Sequence, residues 1–256
     1  MEFLVFWLGL VLGSFLNVVA HRVPKGESVV RPRSRCPACK ASIAWHDNIP
    51  LLSYALLRGR CRRCRKPISA RYPAVELTMG LLAWGLWRRW EADPVWAGLA
   101  TLAAGALLAV TLIDWDTFII PDELSLGLLA AGLLIAPFNP YFASASWLGS
   151  LSRAFIGGVI GLGMCWGVAA AGEFIFKREA MGGGDIKLLA AVGAWTGGLG
   201  AFDCMMVGSV LGAAYGVPLL WGGKLKRYDP IPFGPFLSAA AVFNLFFRLP
   251  LGYPFL

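Results

Sequence analysis

Charge is scarce in this chain. Asp, Glu, Lys and Arg make up only 15% of its 256 residues, against about 25% in an ordinary soluble domain. Residues 3–20, 95–113, 154–172 and 204–223 contain none at all. Each of these runs meets the roughly 18–20 residues a helix needs to cross a bilayer. With 57% apolar residues and a mean hydropathy of +0.64, the pattern excludes an ordinary soluble enzyme and points to a multi-span membrane protein.

Other absences narrow the reading further. The segment before the first apolar run has no Lys or Arg, only Glu2, and no small-x-small cleavage site follows the run. That run therefore reads as a retained helix rather than a signal peptide. No aromatic residues are interleaved with the basic run 58–66, so the stacking platform of a nucleic-acid binder is missing. No inverted repeat relates the two halves, which argues against a transporter. The three glycines at 182–184 have neither the preceding strand nor the downstream acid of a dinucleotide-binding loop.

The apolar pattern predicts an all-α integral membrane protein with about eight transmembrane helices, over 3–21, 74–90, 95–113, 123–138, 153–176, 186–200, 204–221 and 233–248. Residues 22–73 form a loop between the first two. Thirteen of the 23 Lys and Arg lie there against only Glu27 and Asp47, so the loop is +11 within a chain of net +8. The positive-inside rule places it in the cytoplasm and the N-terminus outside. Alternation from there puts Lys177, Arg178 and Lys187 inside, with Lys224, Lys226 and Arg227. Arg88, Arg89, Arg153 and Arg248 fall on the other side. The chain divides into a first helix (1–21), a cytoplasmic cysteine domain (22–73) and a multi-span region (74–256).

Four of the six cysteines form two Cys-x-x-Cys pairs in the basic loop, Cys36 with Cys39 and Cys61 with Cys64, 21 residues apart. Two such knuckles complete a tetrahedral four-sulfur site for Zn²⁺, and a full ligand set makes the metal structural. Disulfides are the alternative, disfavoured by a reducing cytoplasm. The loop's only apolar run is 49–57, so metal binding supplies much of its folding energy. Its positive charge also suits anionic lipid headgroups. Cys165 and Cys204 lie in apolar runs and read as small hydrophobes.

The chemistry centres on two aspartates. Asp114 closes a long uncharged run, seven residues before Pro121, and Asp185 follows Gly182, Gly183 and Gly184. A carboxylate beside the hydrocarbon layer is costly and marks a functional candidate. The charge pattern puts both at the cytoplasmic face. Two close carboxylates sharing one proton can activate water and protonate a leaving amide nitrogen. Asp116 reads as an auxiliary carboxylate or a solvated loop residue, and Asp122 as an N-terminal helix residue or cap. Taken singly, Asp114 and Asp185 also fit ordinary helix ends. Paired membrane acids equally suit a proton-coupled transporter with a zinc module, and a non-enzymatic assembly subunit is a third class.

These motifs resemble one family. Gly13-Ser14-Phe15-Leu16-Asn17-Val18-Val19 with Arg22-Val23-Pro24, the cysteine pairs, and Arg71-Tyr72-Pro73-Ala74-Val75-Glu76-Leu77 come first. Ile113-Asp114 with Ile120-Pro121-Asp122, then Gly182-Gly183-Gly184-Asp185-Ile186-Lys187-Leu188 and Pro232-Phe233-Gly234-Pro235-Phe236 follow. The ordered set resembles the bacterial type IV prepilin peptidases over nearly the whole chain. The resemblance implies an inner-membrane aspartic protease with Asp114 and Asp185 catalytic. It would cut the short basic leader of prepilins and type II secretion pseudopilins. It also implies N-methylation of the new terminus, usually Phe, with S-adenosylmethionine, and zinc on Cys36, Cys39, Cys61 and Cys64. Gly182, Gly184, Lys187, Asp116, Asp122 and Glu76 are supporting candidates, and Glu76, Asp116, Asp122 and Glu179 are acids suited to the basic leader. A related Gly-x-Gly-Asp protease without methyltransferase activity is the closest alternative.

Overall fold

The structure, a computed structural model, describes residues 1–142, 146–178, 181–226 and 229–247. Its regular elements are helical: α1 (Glu2–Arg22), α2 (Leu52–Leu56), α3 (Arg71–Arg89), α4 (Pro94–Thr117), α5 (Asp122–Leu134), α6 (Trp147–Phe176), α7 (Gly183–Trp221) and α8 (Gly234–Phe246). Among the described residues the only β pairing is two isolated bridges. Glu2–Lys25, α4, α6 and α7 are long and apolar enough to cross a membrane. Lone α5 and α8, with 13 residues each, are short for that.

The chain forms two compact units, Met1–Gly105 and Ala106–Leu256, with the boundary inside α4. In the first, α3 packs on α1. A Cβ on Gly9 would lie 2.7 Å from Ala83 Cβ, and one on Gly13 the same distance from Glu76 Cα. Position rises along α1 as it falls along α3, so the pair is antiparallel, and the four-residue glycine spacing lets the backbones touch.

In the second unit α7 is the centre, packed by α5, α6 and α8. Gly157 and Gly161 of α6 lie against the α7 backbone at Gly193 and Leu189. The apolar pattern predicts two helices here, ending at 200 and restarting at 204. The helix instead runs through that gap and breaks at Gly197, with φ 79° and ψ 174°. That combination is open essentially only to glycine. A break buried in protein must re-satisfy its polar groups. Asn139 Nδ2 donates to the Trp195 carbonyl at 2.7 Å, and Trp195 Nε1 donates to the Leu128 carbonyl at 2.8 Å. Asp203, between the two anticipated helices, is buried inside α7.

Candidate active site and metal centre

Asp114 sits near the end of α4 and is buried. Its Oδ2 accepts the backbone N–H of Gly234, the first residue of α8, at 2.9 Å. A hydrogen bond to a charged group contributes about 1.5–3 kcal/mol, and the positive end of α8 adds to it. Glycine at 234 is a steric requirement: a Cβ there would lie 2.7 Å from Asp114 Oδ2 and 3.0 Å from Ile120 Cδ1.

Asp185 lies in the first turn of α7, after the N-cap Gly182. Its N–H donates to the Gly182 carbonyl at 3.1 Å. Its Oδ1 is buried with no hydrogen-bond partner among the described residues. The neighbouring Gly184 packs on Ile120, whose Cβ would be 2.9 Å from a Cβ at that position. Ile120 thus touches both Gly184 and Gly234, and the turn after α4 is clamped between the starts of α7 and α8. The two carboxylates converge around that turn, close enough for the charge of Asp114 to act on Asp185.

The supporting candidates take varied places. Asp122 opens α5, but its side chain makes no capping bond. It receives Lys187 Nζ at 2.7 and 2.9 Å on its two oxygens. Asp116 is exposed on the last turn of α4. Gly182 is exposed as the α7 N-cap. Glu76 belongs to the other unit, where it is buried and its Oε2 accepts the Leu51 N–H at 2.8 Å. Glu179 lies outside the described residues. Sequence reasoning did not single out Ile120 or Gly234 as site residues. The glycine before Pro235 at a helix start was the available signal for Gly234.

The two cysteine knuckles are built alike. Cys36 N–H donates to the Ala41 carbonyl and Cys61 N–H to the Lys66 carbonyl. Bridges Arg35–Ser42 and Arg60–Pro67 close the turns, and Lys40 and Arg65 adopt φ near +60° (59° and 58°). All four Sγ atoms lie within 4.8 Å of one another, with Cys36 and Cys64 at 3.9 Å. Tetrahedral Zn–S bonds of about 2.3 Å put ligand sulfurs about 3.8 Å apart, so the donor set fits zinc. Backbone N–H groups of Cys39 and Ala38 help pull the Cys36 thiol down to about 6, against desolvation. The Lys66 N–H favours the thiolate of Cys64, but desolvation and the neighbouring sulfurs push that thiol up to about 11. A cation at the centre removes this conflict among like charges. Arg62 grips Asp47 through both carboxylate oxygens, at 2.6–3.0 Å, and ties the second knuckle to the turn Trp45–Asn48.

The family model described as the Bacterial Peptidase A24 N-terminal domain matches residues 7–90, and that of the Type IV leader peptidase family matches residues 101–217. A Burkholderia pseudomallei (strain 1026b) protein named prepilin leader peptidase/N-methyltransferase is 39% identical over 269 residues, spanning 95% of this chain and 84% of that protein. The protein of that name from Aeromonas hydrophila is 39% identical over 93% of this chain and 87% of its own length. The one from Pseudomonas aeruginosa is 37% identical over 91% and 86%. No solved structure matches the chain.

Proposed function

The chain belongs to the type IV leader peptidase family, and from that premise we propose that it removes the basic leader of prepilins and pseudopilins and methylates the new N-terminus. Asp114 and Asp185 share one proton. One carboxylate takes a proton from water as its oxygen attacks the scissile carbonyl, and the other protonates the leaving amide nitrogen. The observation that carries this reading is the convergence of Asp114 and Asp185 around Ile120. The Gly234 N–H fixes one carboxylate oxygen, while Asp185 Oδ1 is left without a protein donor. A water or substrate amide is the natural partner for that oxygen.

The surroundings suit a substrate with a polar leader and an apolar helix. Trp115, Phe118 and Ile119 are exposed beside Asp114, an apolar surface for the segment after the cleavage point. The excess of Lys and Arg in the loop 22–73 supports a site at the cytoplasmic face, and the family reading supports the bacterial inner membrane. Four helices, α1, α4, α6 and α7, are long and apolar enough to cross; eight spans would require the two arms of α7 to count separately and α3, α5 and α8 to cross as well. Cys36, Cys39, Cys61 and Cys64 would hold Zn²⁺, which would supply folding energy to the loop. S-adenosylmethionine, when bound, would supply the electrophilic methyl group for the neutral terminal amine.

Mass spectrometry of a co-expressed prepilin tests the reading. The pilin should lose its leader and gain one methyl group. An uncut pilin beside folded protein contradicts the proposal.

A further inference from the structure

In the first unit, α1, α3 and the cysteine loop enclose a cavity of about 680 Å³. Pockets for small organic ligands span roughly 300–1,000 Å³. The cavity in the second unit beside Gly197, at about 240 Å³, is below that range.

Glu76 lines the larger cavity and is only 8% exposed. Its Oε2 holds Leu51, which sits at φ 58° in a γ-turn closed by Leu52 N–H on the Pro50 carbonyl at 2.6 Å. A γ-turn at positive φ is strained for a side-chain-bearing residue. The second carboxylate oxygen takes no hydrogen bond, and Glu76 has no ion-pair partner among the described residues. That oxygen opens onto the cavity, where it can accept a positively charged group of a ligand. Asn17 lines the wall beside it. Its Nδ2 donates to the Gly13 and Tyr72 carbonyls, which leaves Oδ1 as a further acceptor.

The other walls divide by chemistry. Ile43, Ile49, Leu57 and Ile68 offer apolar surface, and Arg35 and Arg63 supply positive charge. A ligand suited to all three regions has a flat apolar ring, a cationic centre and a carboxylate. Resting on the methyltransferase reading above, we propose that this cavity is the S-adenosylmethionine site. Glu76 faces the sulfonium, the isoleucines hold the purine, and the arginines meet the methionyl carboxylate.

Ultraviolet cross-linking of the purified full chain with methyl-labelled S-adenosylmethionine locates the site without relying on turnover or on a variant. Label in peptides covering residues 14–76 is expected. Label confined to residues 106–247, or none in 14–76, overturns the assignment. Equilibrium binding adds a charge-specific readout. The intact protein should bind S-adenosylmethionine more tightly than S-adenosylhomocysteine, which lacks the positive sulfur. Glu76→Gln retains an acceptor for Leu51 and should weaken S-adenosylmethionine roughly tenfold or more, abolishing the preference. Unchanged preference in this variant overturns the role of Glu76. Methylated pilin together with label outside 14–76 removes the site but leaves the methyltransferase reading standing. Cleaved pilin that is never methylated removes that reading itself.

Discussion

The backbone N–H of Gly234 points at Asp114 Oδ2 across 2.9 Å, so the first turn of α8 fixes a carboxylate carried by α4. A methyl group at 234 has no room beside that oxygen or beside Ile120. Gly234→Ala should therefore move the Asp114 carboxylate without unfolding the helix bundle. A displacement of about 1 Å in a catalytic group can cost on the order of 100-fold in rate. Leader cleavage by the purified variant should fall by about that factor, with its thermal midpoint changed by only a few degrees. Wild-type kinetics would show that the contact does not position the carboxylate.

The cysteine cluster should hold one zinc per chain, measured by elemental analysis. Cobalt substitution should give the absorption of a tetrahedral thiolate site. Ligand sulfurs must lose their protons to bind. Cys36, at about 6 before metal, keeps its thiolate at neutral pH and is protonated as pH falls through that value. Because Cys64 is pushed up to about 11, metal affinity should already fall as pH drops through the neutral range, and the fall should steepen below about 6, where Cys36 also takes up a proton. Cys36→Ser should lower zinc content and expose residues 36–66 to proteolysis.

Asp47 is held below the usual carboxylate range, chiefly by its hydrogen bonds with Arg62. A depressed carboxylate stabilises the fold above its unfolded value, and that contribution is lost as pH falls through its folded value. Asp47→Asn should raise hydrogen exchange around Trp45–Asn48 and the second knuckle at neutral pH. The difference from wild type should shrink in strong acid and in high salt.

The acids suited to a basic leader should not contribute equally. Asp122 holds Lys187, and Glu76 is buried in the other unit; Asp116 lies two residues after Asp114 on the exposed last turn of α4, which puts it nearest the cleavage site. Asp116→Lys should raise KM for a basic leader several-fold with kcat little changed. The Asp122–Lys187 pair is exposed on both sides, so breaking it should cost about 0.2–1 kcal/mol. Exchanging the two residues should recover that loss.

The sequence showed most where physics is local. Uncharged runs located α1, α4 and α6, because crossing lipid forbids charge along a helix. Cysteine spacing located the four-sulfur cluster, because a knuckle is a single tight turn. The break in α7 escaped because the apolar pattern runs unbroken through Gly197, one of many glycines. Only the backbone angles there, and the Asn139 bond that serves the freed Trp195 carbonyl, reveal it. The site was half legible. Asp114 and Asp185 stand out as acids at the edges of apolar runs, but Gly234 and Ile120 matter only through contacts between distant segments. Glu76 read from its motif as an acid suited to the basic leader, and only the structure shows it buried over a cavity in the first unit.

The most direct measurement is leader cleavage of one prepilin by the wild type, Asp114→Asn and Asp185→Asn, each purified and shown to be folded and to contain zinc. Each substitution keeps the shape of the side chain and removes its ability to hold and release the shared proton. Either one alone should abolish cleavage, because neither carboxylate can act as both acid and base without the other. Leader removal at the wild-type rate by either folded variant would contradict the account.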